Sequence, residues 1–276
     1  MEELVCLHTL GYNVKDILSA KNTNPKTLTY IQYSEEQSIE SLKRAVSMSK
    51  TNIEKATRIL NNQTQTGIVS IPYYASDYPQ LLMDLKDTPL LIHALGNKDL
   101  LYEEKTIAII GARRADHIGC NAAFHLAQKY ATNNHVIISG LALGCDTAAH
   151  LGCLSVKGKT IAIVGSGLDI THPKENRYLQ EKILDSGGLL LSEQPLGARA
   201  TPTRLVARNR LQAALAKQVI VAQCPIKSGT MYTVQFAREI KRDVFAVKYN
   251  HYNELSSGNE YLIREHIGKP INLKKT

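Results

Sequence analysis

The sequence has no tryptophan, only three phenylalanines and only five cysteines. None of the cysteines forms a Cys-x-x-Cys pair, which argues against a zinc site, and their odd number argues against a disulfide framework. No window of about 18 residues is continuously apolar and uncharged, so no transmembrane helix is predicted. The first residues, MEELVCLHTLGYNVKD, lack the basic start of a signal peptide. These absences predict a cytoplasmic protein with no membrane partner.

Negative charge is also scarce in one part of the chain. The 276 residues carry 33 Lys and Arg against 25 Asp and Glu, a formal charge of +8. Between Gln194 and Arg238 there is no acidic residue at all. That segment holds Arg199, Arg204, Arg208, Arg210, Lys217, Lys227 and Arg238. A basic run of one sign within a folded segment predicts a positive surface and an anionic partner.

The chain divides into two predicted parts. Residues 1–66 are polar with apolar positions at helical spacing, and predict a small helical domain that ends near QTQTG at 63–67. Residues 68–276 form the second domain, in which 68–105 is a proline-containing lead-in segment packed on the rest. With 43% hydrophobic residues, the chain can bury a substantial core.

From Thr106 onwards, short apolar runs alternate with helix-length segments. Strands are predicted at Thr106–Ile110, His135–Ser139, Thr160–Val164, Leu189–Ser192, Gln218–Ala222 and Asp243–Val247. Helices are predicted near 119–133, 146–157, 175–186, 204–216 and 229–241. Continuous apolar strands that alternate with helices predict an α/β fold with a doubly wound, mostly parallel, Rossmann-like sheet.

Most of the predicted strands end in loops rich in glycine and serine. One such loop is an ordinary tight turn, but four along one sheet edge, in so basic a chain, favour an extended anion-binding crevice. The first strand runs into IAIIGARRADHIG, where Arg113 and Arg114 stand in place of the later glycines of a dinucleotide turn. Cations at several separate strand ends suit a polyphosphate backbone better than one cofactor. Tyr178, Tyr232 and Phe124 are candidates for base stacking, although the pattern favours the core for each.

The sequence offers little for catalysis. It contains no HExxH, no P-loop and no G-x-S-x-G elbow, so no enzyme activity, metal site or cofactor is predicted. Asp146 and His150 lie one helical turn apart, and the favoured interpretation is a helix cap with His150 bonded to Asp146. Glu193 is an acid at a strand end, suited to a base edge or to a helix cap.

At this point a family resemblance emerges. The ordered segments IAIIGARR, SGLALGCDTAAH, GKTIAIVGSGLDITHPKEN, GGLLLSEQPLG and ARNRLQAALAKQVIVAQCPIKSGTMYTVQFA resemble the DNA-processing protein A family (DprA, also called Smf). The resemblance covers 68 to about 250, and residues 1–66 resemble the SAM-like domain of that family. Ala112, Leu205, Val206 and His172 depart from its usual residues.

The resemblance implies a homodimer that binds single-stranded DNA, protects incoming strands in natural transformation and helps to load the RecA recombinase, without catalysis. It assigns DNA contacts to Arg113, Lys174, Arg208 and Arg210. We expect these four to neutralise phosphates while the N–H groups of Gly140 and Gly167 cradle them. The full set of expected DNA-binding residues is Arg113, Lys174, Arg208, Arg210, Gly140, Gly167, Asn209, Ser228 and Thr230.

Two other functions stay open from the residues alone. One is a Rossmann-like phosphoribohydrolase acting on nucleotides, although KSGTMYT shares only Gly229 and Thr230 with the PGGxGT motif of those enzymes. The other is a nucleotide-sensing module. Release of free base from a nucleoside monophosphate would favour the enzyme. Stabilisation by a mononucleotide, but not by oligo-dT, would favour the sensor.

Overall fold

A computed structural model describes residues 65–273. The helical domain predicted for 1–66 therefore lies outside the described residues, apart from 65 and 66. The described chain forms one nine-stranded sheet. Its strands are β1 (Val69–Pro72), β2 (Leu91–Gly96), β3 (Thr106–Ile110), β4 (Val136–Ser139), β5 (Thr160–Val164), β6 (Leu189–Ser192), β7 (Gln218–Val221), β8 (Asp243–Lys248) and β9 (Lys269–Asn272).

The sheet has the order β1-β2-β6-β5-β4-β3-β7-β8-β9. All pairs from β6 to β9 are parallel, whereas β1–β2 and β2–β6 are antiparallel. The helices of the described part are α1 (His117–Thr132), α2 (Cys145–Ser155), α3 (Arg177–Asp185), α4 (Pro202–Ala207), α5 (Asn209–Leu215), α6 (Thr230–Glu239) and α7 (Ser257–Arg264). This architecture confirms the predicted Rossmann-like α/β fold.

Both faces of the sheet are covered, as its continuous apolar strands require. Along β3, Ile107 and Ile109 join the core cluster that α1 and α2 complete. The alternate residues Ala108 and Ile110 join the cluster on the opposite face, to which Leu211 of α5 also belongs. Because successive strand residues point to opposite faces, a strand buried on both faces is mainly apolar, and a polar residue in it, such as Thr106, needs a hydrogen-bond partner.

The chain reverses its direction of winding between β3 and β7. From β3 the crossovers lead through β4 and β5 to β6, and the chain then returns to place β7 on the other side of β3. At the carboxyl ends of these strands the N–H of Ala112 donates to the carbonyl oxygen of Gln223 at 2.7 Å. Ligand crevices of open α/β sheets lie at this kind of switch point.

Two details of the fold differ from the prediction. The lead-in segment is part of the sheet itself, because it supplies the antiparallel strands β1 and β2. The helix predicted over 204–216 is two helices, α4 and α5, which meet at Arg208. Within 65–273, no helix combines the length and the apolar character needed to cross a bilayer.

Candidate nucleic-acid interface

Arg113 and Lys174 are exposed at the same edge of the sheet. Arg113 follows β3, and Lys174 begins a 3-10 turn (Lys174–Asn176) beyond the end of β5. The buried Asn176 donates through Nδ2 to the carbonyl oxygen of Leu141 at 2.8 Å and to Oγ1 of Thr147 at 2.8 Å. These bonds tie the turn to the segment after β4, the strand between β3 and β5. Both cations are thus available to an anion lying along this edge.

Arg208, by contrast, is buried beneath the edge, with 5% of its surface exposed. Its Nη2 donates to the carbonyl oxygen of Gly140 at 2.8 Å and lies 3.9 Å from Oδ2 of Asp146. Burial lowers the pKa of Arg208 to about 10, opposed by Asp146 and assisted by the nearby charge of Arg113. The guanidinium is therefore held against Gly140 and Asp146.

The two glycines expected to cradle phosphates donate their N–H groups inside the protein. The N–H of Gly140 donates to Oδ2 of Asp146 at 3.1 Å. The N–H of Gly167 donates to the carbonyl oxygen of Ala198 at 2.8 Å. Each N–H therefore already has a partner within the protein, and the expected phosphate contacts of these two groups stay a prediction. Gly140 instead provides the space that the Arg208 side chain occupies.

Arg210 is also buried, and two carboxylates compensate its charge. Its Nη1 and Nη2 each lie 2.7 Å from a carboxylate oxygen of Glu193, and its Nε lies 2.8 Å from Oδ2 of Asp87. Burial lowers the pKa of Arg210, but the hydrogen bonds and charges of Glu193 and Asp87 more than reverse that effect. Arg210 therefore joins the lead-in segment to the end of β6, and its expected contact with DNA phosphates stays a prediction.

The remaining expected contacts lie near the end of β7. Asn209 is buried and donates through Nδ2 to the carbonyl oxygen of Gly229 at 3.3 Å. Thr230 is 7% exposed at the start of α6, and Ser228 is half-buried. Asn209 therefore positions the loop, whereas a DNA contact of Ser228 or Thr230 stays a prediction.

The expected hydrogen bond between Asp146 and His150 does not form, and each side chain has other partners. Asp146 accepts the N–H groups of Gly140 and Ala142, and burial raises its pKa against the opposing charge of Arg208. His150 is fully buried, and its Nδ1 lies 2.8 Å from Oγ1 of Thr160. Burial lowers the pKa of His150 to about 3, and the charge of Arg208 contributes. Both side chains are buried inside the fold, so neither is exposed to a ligand.

The low pKa of His150 predicts acid sensitivity. Above pH 6.5 the imidazole is neutral in both folded and unfolded chains, so it adds no pH dependence. Between pH 6.5 and about 3 only the unfolded chain takes up the proton, so stability falls as the pH falls. A difference of one pH unit in this window corresponds to about 1.4 kcal/mol.

We expect His150→Asn to reduce this dependence while keeping a polar atom near Thr160. Urea unfolding at pH 7 and pH 5 measures the effect. The wild type should lose roughly 2 kcal/mol more than the variant between these pH values. Equal losses would show that the buried imidazole takes up a proton without unfolding.

Two tyrosines assigned to the core lie at the surface. Tyr178, in the first turn of α3, is 71% exposed, and Tyr232 of α6 is 49% exposed. Phe124 is half-buried. The spacing of apolar residues could not distinguish an exposed aromatic side chain from a buried one. An aromatic residue on a helix fits the same spacing whether or not a neighbouring element covers it.

Three further acidic residues make structural contacts, and Glu193, expected at a base edge or a helix cap, is one of them. Asp116 caps α1, accepting the N–H of Gly119 at 2.8 Å and Nε2 of Gln223 at 3.0 Å. Glu193 and Asp87 pair with Arg210. Sequence alone gave no signal for Asp87, which lies 123 residues before Arg210. Across 65–273, no group of three or more His, Cys, Asp or Glu side chains is arranged to hold a metal ion.

The sequence is similar to that of a known protein family. The sequence profile of the family described as DNA recombination-mediator protein A matches residues 70–275. The DNA processing protein DprA of Streptococcus pneumoniae is 41% identical over 188 residues, which cover 68% of this chain and 66% of that protein. Protein Smf of Synechocystis sp. is 38% identical over 174 residues, covering 62% and 44%. The chain thus spans less than two thirds of the length of these two relatives.

Two solved structures share the fold. That of DprA from Streptococcus pneumoniae has a TM-score of 0.73 at 31% identity and covers 94% of this chain and 93% of its own. One from Helicobacter pylori, described in terms of the single-stranded DNA binding mode of DNA processing protein A, has a TM-score of 0.67 at 31% identity. It covers 74% of this chain and 90% of its own.

Proposed function

The chain belongs to the DNA recombination-mediator protein A family, and on that premise we propose that it binds single-stranded DNA without catalysing a reaction. It acts in recombination during natural transformation, as a homodimer that protects the incoming strand and helps to load the RecA recombinase. The strand lies along the carboxyl edge of the parallel sheet, where its phosphates meet exposed cations. Exposed cations at several separate strand ends suit a chain of phosphates better than the single nucleotide that the two other open functions require.

The observation that carries this proposal is the exposure of cations at several neighbouring strand ends. Arg113 and Arg114 follow β3, Lys174 follows β5 and Lys227 follows β7, and all four are exposed. Parallel strands lie about 4.8 Å apart, so cations on several strand ends line up beside a chain of phosphates. The related protein from Helicobacter pylori is described as binding single-stranded DNA, which supports the same ligand here.

The four exposed cations define the expected salt dependence. Each phosphate neutralised on a single strand contributes about −0.7 to the slope of log K against log salt, so about four contacts predict a slope near −3. We expect Arg113→Ala combined with Lys174→Ala to bring the slope to about −1.5. Loss of two charge-assisted hydrogen bonds should also weaken binding at least tenfold. Fluorescence anisotropy on labelled oligo-dT at several salt concentrations measures both quantities.

A matched control removes the same charge from the opposite edge of the same strands. Lys105 and Lys217 are exposed at the amino ends of β3 and β7. The double variant Lys105→Ala and Lys217→Ala has the same net charge as the test variant, so it should keep most of the affinity and the slope. Equal weakening by the two double variants would refute the site, and a wild-type slope near zero would refute electrostatic binding.

A further inference from the structure

We propose that the cleft beside α6 receives one base of the bound single strand, stacked against Tyr232. The proposal rests on the proposed function, since it adds a base-binding site to the phosphate-binding edge. About 550 Å³ of space lies between the loop 226–229 and the first turns of α6. That volume is within the range of pockets that hold small molecules, and it is sufficient for one nucleotide.

The cleft presents apolar surface that the fold leaves uncovered. Ile226 and Tyr232 line it with 43% and 49% of their surfaces exposed. Met231 also lines it and packs against the core, with its sulfur 4.0 Å from that of Cys224. An aromatic ring beside two flexible or branched apolar side chains matches the flat face of a base, and such stacking contributes about 1–3 kcal/mol per base.

The polar lining suits a nucleotide better than an apolar partner. Gln235 and Ser228 line the cleft and carry groups that can donate to and accept from the edge of a base. Lys227 adds a positive charge for a neighbouring phosphate, and no carboxylate is among the lining residues. An apolar helix of a protein partner would leave these polar groups without partners, so the chemistry favours a base attached to a phosphate.

The cleft and the proposed phosphate path follow two adjacent strands of the sheet. Asn209 bonds to the carbonyl oxygen of Gly229, which lines the cleft. Asn209 directly follows Arg208, whose guanidinium donates to the carbonyl oxygen of Gly140 in the segment after β4. β7, which precedes the cleft, pairs with β3, which precedes Arg113. A strand bound to Arg113 can therefore turn one base into the cleft.

The first test separates stacking from phosphate binding. Anisotropy is measured with oligo-dT and with an abasic oligonucleotide of the same length, for wild type, Tyr232→Ala and Tyr232→Phe. We expect Tyr232→Ala to weaken oligo-dT binding about 5- to 150-fold, which is the stacking range of about 1–3 kcal/mol converted at about 1.4 kcal/mol per tenfold change. Abasic binding and the salt slope should not change, and Tyr232→Phe should retain the wild-type affinity. Equal losses on both oligonucleotides, or no loss, would overturn the cleft as a base site.

The second test uses the absence of tryptophan from the whole chain. Tyr232→Trp introduces a single tryptophan whose emission should be quenched by oligo-dT but not by the abasic strand. Quenching by dTMP alone would overturn the strand as the source of the base and point to a free nucleotide. No quenching by any ligand, with oligo-dT still bound by anisotropy, would overturn the cleft and leave the proposed function intact. If the wild-type protein does not bind oligo-dT at all, the proposed function itself is overturned.

Discussion

Gly140→Ala should lower the free energy of unfolding by about 3 kcal/mol or more. A Cβ at this position would lie 1.6 Å from Nη1 of Arg208 and 2.2 Å from its Cζ. The guanidinium has no free space to enter, because it is buried and bonded to the carbonyl of Gly140 itself. Overpacking a core costs about 1–3 kcal/mol, and breaking a buried ion pair costs about 3–5 kcal/mol. The displaced arginine would incur both.

A second glycine provides the control for this effect. No atom lies within 4 Å of a Cβ built on Gly229, and its φ of −58° suits any residue. We expect Gly229→Ala to change stability by less than about 1 kcal/mol. Urea unfolding of both variants gives the comparison. If Gly140→Ala is as stable as the wild type, the Arg208 side chain can adopt another position. Its burial against Asp146 would then not be required for folding.

Glu193→Ala should be comparably destabilising, for an electrostatic reason. The change removes both carboxylate oxygens that lie 2.7 Å from the guanidinium of Arg210, which is only 4% exposed. Arg210 then keeps only the half-exposed Asp87, and a buried charge that loses its buried partner costs about 3–5 kcal/mol. In a domain of this size about 1 kcal/mol corresponds to 2–4 °C, so the melting temperature should fall by roughly 6–20 °C. Differential scanning calorimetry measures it.

The other carboxylate on Arg210 supplies the matched comparison. The side chain of Asp87 is 54% exposed, so Asp87→Ala should cost about 1 kcal/mol or less. Replacing the buried pair together, with Glu193→Leu and Arg210→Met, should recover much of the stability that Glu193→Ala loses, because the only charge left unpaired is then the half-exposed Asp87. If Glu193→Ala melts within a degree or two of Asp87→Ala, the buried pair does not hold this end of the sheet.

The ion pairs of Arg208 with Asp146 and of Arg210 with Glu193 give these two arginines a structural role that the sequence did not predict. Arg208 and Arg210 are internal supports of the segments after β4 and β6. Arg113 and Lys174 are the cations of the expected set that remain exposed. Whether an arginine of this set is buried or exposed therefore depends on whether a carboxylate, such as Asp146 or Glu193, lies beside it.

The sequence by itself determined the layers of the fold. Strands β3, β5 and β6 have the bounds that their apolar runs predicted, because a strand buried on both faces cannot contain a polar residue without a partner. The family was also evident from ordered motifs along the chain, and the matched profile confirms it. Local spacing was enough for both conclusions, since each depends on neighbours along the chain.

Only the tertiary structure decided which of the predicted site residues are exposed and which are buried with partners. Glu193 lies 17 residues before Arg210 and Asp87 lies 123 before it, and sheet order alone brings them together. Likewise, the sequence does not show that the N–H of Gly140 donates to the carboxylate of Asp146. Whether a cation or an N–H is free depends on partners distant in sequence, and those partners meet only when strands β2, β6 and their neighbours take their places.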